Sequence, residues 1–145
     1  MLTPDFKEFI RSLNDNTVRY LVVGGYAVAL HGHPRYTKDI DIRLDLDREN
    51  ARRLVHAIEQ IGFGELGLKS DDFLEVDQII QLGYPPSRID LITGLPGVEF
   101  DDCYASRVEV EMDGVTVYFI NLENLRKNKR ASGRLQDLAD LENLE

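Results

Sequence analysis

The 145-residue sequence has one cysteine, Cys103, and no long apolar run. A single cysteine cannot form a disulfide within the chain, and it excludes a metal cluster held by several thiolates. The longest uncharged apolar stretch, residues 20–30, is too short to span a bilayer. The first residues, MLTPDFKEF, have neither a cationic start nor an apolar segment, so they predict no secretory signal. These absences favour a cytoplasmic protein.

Positive charge is also scarce. The 17 Lys and Arg residues stand against 26 Asp and Glu residues, which gives a net charge of −9 at pH 7. This balance argues against a protein that holds nucleic acid through a broad phosphate-neutralising surface. It remains compatible with a local basic patch, or with nucleotides bound through divalent cations. The 43% hydrophobic share and the length predict one folded domain, residues 1–145.

The hydrophobic pattern predicts elements in the order α-β-α-β-α-β-β-β-β-α-α. Helices are predicted at residues 3–13, 26–31, 48–61, 121–131 and 134–144. Strands are predicted at residues 18–23, 39–47, 78–82, 88–93, 107–112 and 115–120. The last two strands form a hairpin, and the last helix has an apolar face of Leu135, Leu138, Leu141 and Leu144. This order predicts an α/β (α+β) domain in which helices pack on a mixed sheet.

Asp39 and Asp41 stand two residues apart in the clearest alternating strand pattern of the chain. Residues two apart on a strand point the same way, about 6–7 Å apart, so both carboxylates reach one volume. Magnesium prefers oxygen ligands of this kind, and a pair of ions can hold the attacking and leaving oxygens of a displacement at phosphorus. An Asp-x-Asp motif alone is more typical of a solvated strand face, the interpretation given to Asp45 and Asp47.

A third aspartate and a glycine pair add context. Asp90 lies within Arg-Ile-Asp-Leu-Ile, where it is either an inward-facing acid or a charge at a strand edge. Gly24 and Gly25 lie between a predicted buried strand and a predicted helix. Glycines there let the backbone approach an anion, and a helix N-terminus offers free N–H groups. The commoner explanation of a lone glycine pair is a tight strand-to-helix turn.

The combination VVGGYAVALHG…RYTKDIDI…RIDLI resembles the nucleotidyltransferase superfamily with the DNA polymerase β-like fold. The pattern of that superfamily is Gly-Gly or Gly-Ser at a helix start, Asp-h-Asp (h, hydrophobic) on the next strand, and a third Asp on a later strand. The core of the resemblance covers residues 18–93. A hairpin and two helices over residues 107–145 complete the domain, and their ending NLRKNKRASGRLQDLADLENL is like that of several such proteins. The chain is most similar to small prokaryotic members, the minimal nucleotidyltransferases and the abortive-infection toxin types of toxin–antitoxin systems.

The resemblance implies a reaction and a role for each matching residue. A nucleoside monophosphate would pass from a nucleoside triphosphate such as ATP to a hydroxyl on RNA, protein or a small molecule, with loss of pyrophosphate. Asp39, Asp41 and Asp90 would bind two magnesium ions, and Asp90 would also help to deprotonate or orient the acceptor hydroxyl. Gly24 and Gly25 would hold the triphosphate.

The sequence departs from the family pattern in two respects. Gly25 stands where many members have serine, so main-chain donors would supply that phosphate contact. The sequence also lacks the large extra domain that binds the acceptor in polymerases and tRNA-modifying members, which leaves the acceptor open. A second hypothesis is therefore a catalytically silent binding module of the same fold, such as an antitoxin or regulatory subunit. A third is a nucleotide or metal sensor.

Basic residues supply further candidates for nucleotide contact. Arg35 and Lys38 flank the predicted carboxylate site, where they would touch phosphate or offset the aspartates when no metal is bound. A basic cluster follows at Arg126, Lys127, Lys129, Arg130 and Arg134. Such a run is usually a solvated helix face. Lys129 and Arg134 are the best candidates for nucleotide binding in it, because they match the family-like ending.

Three other kinds of residue carry weaker signals. His31 and His33 near Asp39 suggest a transition-metal site, but histidines that follow a short helix are more often surface residues. Tyr26 is assigned to packing rather than to stacking on a base. Cys103 follows two aspartates, which should raise the pKa of its thiol, so it is not interpreted as a nucleophile.

Overall fold

The computed structural model describes residues 2–32, 38–63, 66–83 and 88–144. Its helices are α1 (Pro4–Asp15), α2 (Gly24–Leu30), α3 (Arg48–Ile58), α4 (Phe100–Ala105), α5 (Leu122–Ser132) and α6 (Leu135–Leu144). Its strands are β1 (Tyr20–Val23), β2 (Ile40–Leu44), β3 (Ile79–Leu82), β4 (Ile89–Ile92), β5 (Val108–Met112) and β6 (Val115–Phe119). Every predicted element is present, and the short helix α4 is an addition.

The six strands form one mixed sheet in the order β3-β4-β2-β1-β6-β5. Strand β2 is central to the site because it pairs with β1 on one side and with β4 on the other. The β1–β2 pairing is antiparallel, whereas β2–β4 and β1–β6 are parallel. The predicted mixed sheet with packed helices is therefore confirmed. Among the described helices, none combines the length and the apolar character that crossing a bilayer requires.

The two faces of β2 have different chemistry. Ile40, Ile42 and Leu44 alternate along one face and are buried in the hydrophobic core. Asp41 and Arg43 occupy the other face. The guanidinium of Arg43 lies 5.4 Å from the ring centroid of Phe100, so the unpredicted helix α4 lies against the Arg43 end of this face.

The assignment of Asp45 and Asp47 to the strand is wrong, although Asp47 is exposed as predicted. Strand β2 ends at Leu44, and Asp45 forms an ion pair of 2.7 Å with Arg19. Asp47 caps α3, because its side chain accepts a hydrogen bond from the main-chain N–H of Asn50. Both residues thus fix the turn between β2 and α3.

The predicted apolar face of the last helix is wrong for its first two leucines, whereas Leu144 is buried as predicted. In α6, Leu135 is 88% exposed and Leu138 is 43% exposed, whereas Asp137 and Asp140 are buried. The two aspartates point inward because a buried lysine, Lys129 of α5, pairs with both of them. The ion pairs offset the desolvation that otherwise keeps carboxylates at the surface.

Candidate active site

The structure brings the three predicted aspartates to one place. Asp41 and Asp90 are register partners on the parallel strands β2 and β4, so their side chains point to the same face. A side-chain hydrogen bond joins the two carboxyl groups, and Asp90 is buried. Asp39 lies just before β2, two residues from Asp41, and is partly buried. Two neighbouring strands therefore aim their acids at one volume.

The site raises the pKa of the Asp41 carboxyl to about 7. Burial is the largest cause, and the negative charges of Asp90 and Asp39 act in the same direction. Lys129 lowers the pKa of Asp41 but does not overcome these effects. The carboxylates of this site are thus crowded and incompletely neutralised, which is the environment in which a bound cation is most stabilising.

Gly24 provides a close approach between main chain and carboxylate. Its φ of +63° lies in the left-handed region, and a Cβ atom at this position would overlap Oδ2 of Asp41. Only glycine fits both constraints. Gly25 is buried in the first turn of α2, so the glycine pair begins this helix instead of preceding it. The strand-to-helix turn is therefore also the wall of the carboxylate site.

Arg88 is a site residue that the sequence analysis missed. Its Nη2 lies 2.5 Å from Oδ2 of Asp39, and its Nε lies 3.1 Å from Oδ1 of Asp90. One guanidinium therefore bridges two of the three aspartates. The signal was present in the sequence, since Arg88 stands two residues before Asp90 and extended residues two apart share a face.

Lys129 connects the carboxylate site to the C-terminal helix. Its Nζ lies 2.8 Å from Oδ1 of Asp137 and 3.1 Å from Oδ2 of Asp140, and the ammonium is almost fully buried. Burial alone would raise the pKa of Asp137, but hydrogen bonds from Lys129, Ser132 and Arg134 lower it to about 2. Lys129 also acts electrostatically on Asp41. It does not belong to a solvated helix face, although most basic runs do.

Other members of the basic cluster make surface or structural contacts. Lys127 forms a 3.5 Å ion pair with Glu123 one turn earlier. Arg126 donates to the main-chain carbonyl of Leu144, which ties α5 to the end of α6. Arg134 donates to Asp137 at 2.7 Å while most of its side chain stays in solvent.

A cavity of about 550 Å³ opens on the same face of the sheet as the acids. Its lining includes Ile92, which lies two residues after Asp90 on β4 and therefore shares its face. Asn128 and Ser132, which flank Lys129 on α5, form another wall together with Arg134. The cavity thus has both apolar and polar walls, and its lining does not include Asp39, Asp41 or Asp90.

The remaining candidates have varied positions. Arg35 and His33 lie outside the described residues, and Lys38 is exposed. Nε2 of His31 is 2.9 Å from the carbonyl of Ile120. The Tyr26 ring packs edge-on against Phe6, with 5.8 Å between centroids.

Cys103 is a buried residue of α4. Burial is the main cause that raises the pKa of its thiol, and the charge of Asp102 adds to it. This agrees with the prediction that Cys103 is not a nucleophile, although the sequence analysis attributed the shift to charge alone.

The donor chemistry of the carboxylate site fits magnesium. Within the described part of the chain, no three His, Cys, Asp or Glu side chains stand in an arrangement ready to hold a metal ion. The Arg88 guanidinium instead occupies the position between Asp39 and Asp90. Oxygens from both residues already converge on one cation, and Gly24 leaves no side chain against Asp41. The residues therefore fit a divalent cation once the guanidinium moves aside.

A family model described as nucleotidyltransferase of unknown function (DUF6036) matches residues 2–145. No curated protein sequence matches the chain. Among solved structures, TM1012 of Thermotoga maritima, provisionally assigned as a nucleotidyltransferase, superposes with a TM-score of 0.64 at 18% identity. The match covers 99% of this chain and 94% of TM1012.

Two further solved structures are similar to this chain. ANT(2″)-Ia, solved with adenylyl-2″-tobramycin, has a TM-score of 0.56 at 12% identity, over 96% of this chain and 84% of its own. The lincosamide antibiotic adenylyltransferase LnuA, solved with lincomycin, has a TM-score of 0.55 at 17% identity. The match covers 99% of this chain and 96% of LnuA. At such identities these likenesses establish a shared fold.

Proposed function

The chain belongs to the nucleotidyltransferase family DUF6036, and from this premise we propose a magnesium-dependent transfer of a nucleoside monophosphate from a nucleoside triphosphate to a hydroxyl acceptor. The superfamily and fold predicted from the sequence are confirmed. The observation that carries the finer proposal is the register pair Asp41–Asp90, with Asp39 beside it. Two separate strands place like charges together at a position where a bound cation would offset their repulsion.

Each site residue has a role in this proposal. Asp39, Asp41 and Asp90 would hold two magnesium ions, which supply charge neutralisation at the transferring phosphate when bound. The main chain of Gly24 and Gly25 would run beside the triphosphate, because Gly24 already lies against Asp41. Arg35, Lys38 and Arg134 would contact phosphate. Lys129 would act on the nucleotide through its positive field while it anchors α5.

The reaction requires one bond to form and one to break. The acceptor oxygen attacks the α-phosphorus, and the bond from that phosphorus to the bridging oxygen breaks as pyrophosphate leaves. The proton of the acceptor hydroxyl passes to a nearby base. Asp90 would accept this proton or orient the hydroxyl, since its carboxylate is buried beside that of Asp41.

The cavity lined by Ile92, two residues after Asp90 on β4, supports a small-molecule substrate. Its volume of about 550 Å³ lies within the range of pockets that bind small ligands. ANT(2″)-Ia and LnuA were solved with antibiotic-derived ligands, and LnuA is an adenylyltransferase. These neighbours favour ATP as donor and a small hydroxyl compound as acceptor. Transfer to RNA or protein, as in toxin–antitoxin systems of the cytoplasm, remains within the proposal.

A labelling experiment tests this function. The protein is incubated with magnesium, a cell extract and each of four α-phosphate-labelled nucleoside triphosphates, ATP, CTP, GTP and UTP. We expect metal-dependent label on an acceptor, and a loss of at least about 100-fold in Asp41→Asn because a metal ligand is removed.

Asp47→Asn is the matched control, because it removes the same charge while asparagine still caps α3. Retained transfer in Asp41→Asn would contradict the assigned roles.

A catalytically silent binding module is the second candidate. The observation that favours it is the Arg88 guanidinium, which neutralises Asp39 and Asp90 without any metal. This candidate predicts no transfer from any of the four nucleotides, together with capture of a partner protein that Asp41→Asn still binds.

A further inference from the structure

The guanidinium of Arg88 lies within the carboxylate site and is a cation of that site. Its Nη2 contacts Asp39 at 2.5 Å, while Nε and Nη2 contact the two oxygens of Asp90 at 3.1 and 3.4 Å. The fork geometry of arginine makes such a two-sided contact more favourable than a lysine contact would be. The side chain is one-third exposed, so solvent reaches the guanidinium from one side.

The main chain fixes Arg88 at this position. Its carbonyl accepts a hydrogen bond of 3.2 Å from the N–H of Ile40, where β2 begins beside β4. Asp39 and Arg88 thus stand opposite each other at the start of two paired strands, and Asp90 follows on the same face. The guanidinium therefore leaves the site by side-chain rotation, and the sheet does not have to open.

A guanidinium and a divalent cation cannot both occupy the space between Asp39 and Asp90. We propose that Arg88 is a resident counter-cation that competes with the metal and couples metal binding to nucleotide binding; the proposal rests on the metal-dependent function above. Without nucleotide, the ion pairs hold the site closed to metal. A nucleoside triphosphate supplies phosphate oxygens that pair with the displaced guanidinium and so offset the lost ion pairs.

This role makes a directional prediction. Removal of the guanidinium should open the position between Asp39 and Asp90 to metal, so metal alone should bind more tightly. It should also destabilise the metal-free protein, since Asp39 and Asp90 lose a counter-charge. A merely structural arginine predicts the same loss of stability, but no gain in metal affinity.

The test measures Mn²⁺ binding by electron paramagnetic resonance, with and without α,β-methylene-ATP. Wild type, Arg88→Gln, Arg88→Lys and Arg48→Gln are compared. Arg48→Gln is the matched control because Arg48 is an exposed arginine whose ion pair with Asp71 lies at the surface. We expect Arg88→Gln to bind Mn²⁺ alone about tenfold more tightly than wild type, equal to about 1.4 kcal/mol. Arg88→Lys should fall between the two, and Arg48→Gln should match wild type.

The nucleotide analogue should tighten Mn²⁺ binding more in wild type than in Arg88→Gln. Equal or weaker Mn²⁺ binding in Arg88→Gln, with wild type binding Mn²⁺ and nucleotide, overturns the role of Arg88 alone. Absence of Mn²⁺ binding in every variant, with or without nucleotide, overturns the metal-dependent function as well. If Arg88→Gln does not fold, Arg88→Lys decides the question, and Mn²⁺ affinity no tighter than that of wild type overturns the proposal.

Discussion

Asp41 faces Asp90 across two parallel strands, and a hydrogen bond joins their carboxyl groups. The two residues are nearly fifty positions apart in the sequence, yet they are direct register partners in the sheet. A slip of one residue in either strand would turn one acid toward the hydrophobic face. The acids of the site therefore meet only when β2 pairs with β4 in this register.

Substitution of Asp41 should stabilise the metal-free protein. Asp41→Asn should raise the free energy of unfolding at pH 8 by about 1–2 kcal/mol, because the amide keeps hydrogen bonding to Asp90 and removes a crowded charge. Urea unfolding with a chelator present measures this change. Asp47→Asn should stay near wild type. A marked loss of stability in Asp41→Asn would contradict the crowding described for the site.

Substitution of Gly24 should test the close approach to Asp41. Gly24→Ala should cost about 3 kcal/mol, because it combines left-handed backbone strain with overlap at Oδ2 of Asp41. Gly133→Ala is the matched control, since Gly133 has a φ of +67° and open space at the Cβ position. It should cost only about 1 kcal/mol. Equal losses in chemical denaturation of the two variants would mean that the Asp41 contact is absent.

Lys129→Met should be strongly destabilising. It removes the ammonium and leaves Asp137 and Asp140 buried without their main counter-charge, at a cost of about 3–5 kcal/mol. Lys127→Met, two positions away, breaks only a surface ion pair and should cost less than about 1 kcal/mol. Urea unfolding of both variants gives the comparison. A small loss for Lys129→Met would show that the lysine is solvated.

The pH dependence of stability should report Asp137. Its carboxyl pKa is lowered to about 2 in the folded protein, against an ordinary value of 3.8. The unfolded chain therefore takes up the proton first, and the stabilisation present above pH 4 is lost as the pH falls toward 2. The loss should be about 2 kcal/mol.

Asp137→Asn should be less stable than wild type at neutral pH and should show a shallower decline in this window. Asp71→Asn, an exposed acid, should keep the wild-type slope. Parallel slopes for wild type and Asp137→Asn in acid titrations followed by circular dichroism would contradict the ion-pair network.

The acids of the site were predictable because their spacing follows the two-residue period of a strand. Asp39 and Asp41 share a face by that period alone, and the superfamily pattern supplied Asp90. The in-register pairing of Asp41 with Asp90 needed the order of the strands, which hydrophobic alternation does not determine. The metal and nucleotide roles of these residues remain predictions.

Charge pairing explains most of what the sequence analysis missed. Periodicity placed all four leucines of α6 inside, but Leu135 and Leu138 are exposed because the buried Lys129 draws Asp137 and Asp140 inward. Arg88 was not predicted as a site residue, because its contact with Asp39 depends on the pairing of β4 with β2, which the sequence pattern does not determine. Helix α4 is six residues long and has acidic residues in its first turn, so its hydrophobic pattern does not distinguish it from a loop.

The pairing of β2 with β4 also has a kinetic consequence. The walls of the site come from Gly24, Asp41, Asp90 and Lys129, so no short segment of the chain contains it. Closure of these long loops is slow relative to local helix formation. During refolding, capture of a divalent cation should therefore appear only in the last phase, which would make the ion a reporter of completed assembly.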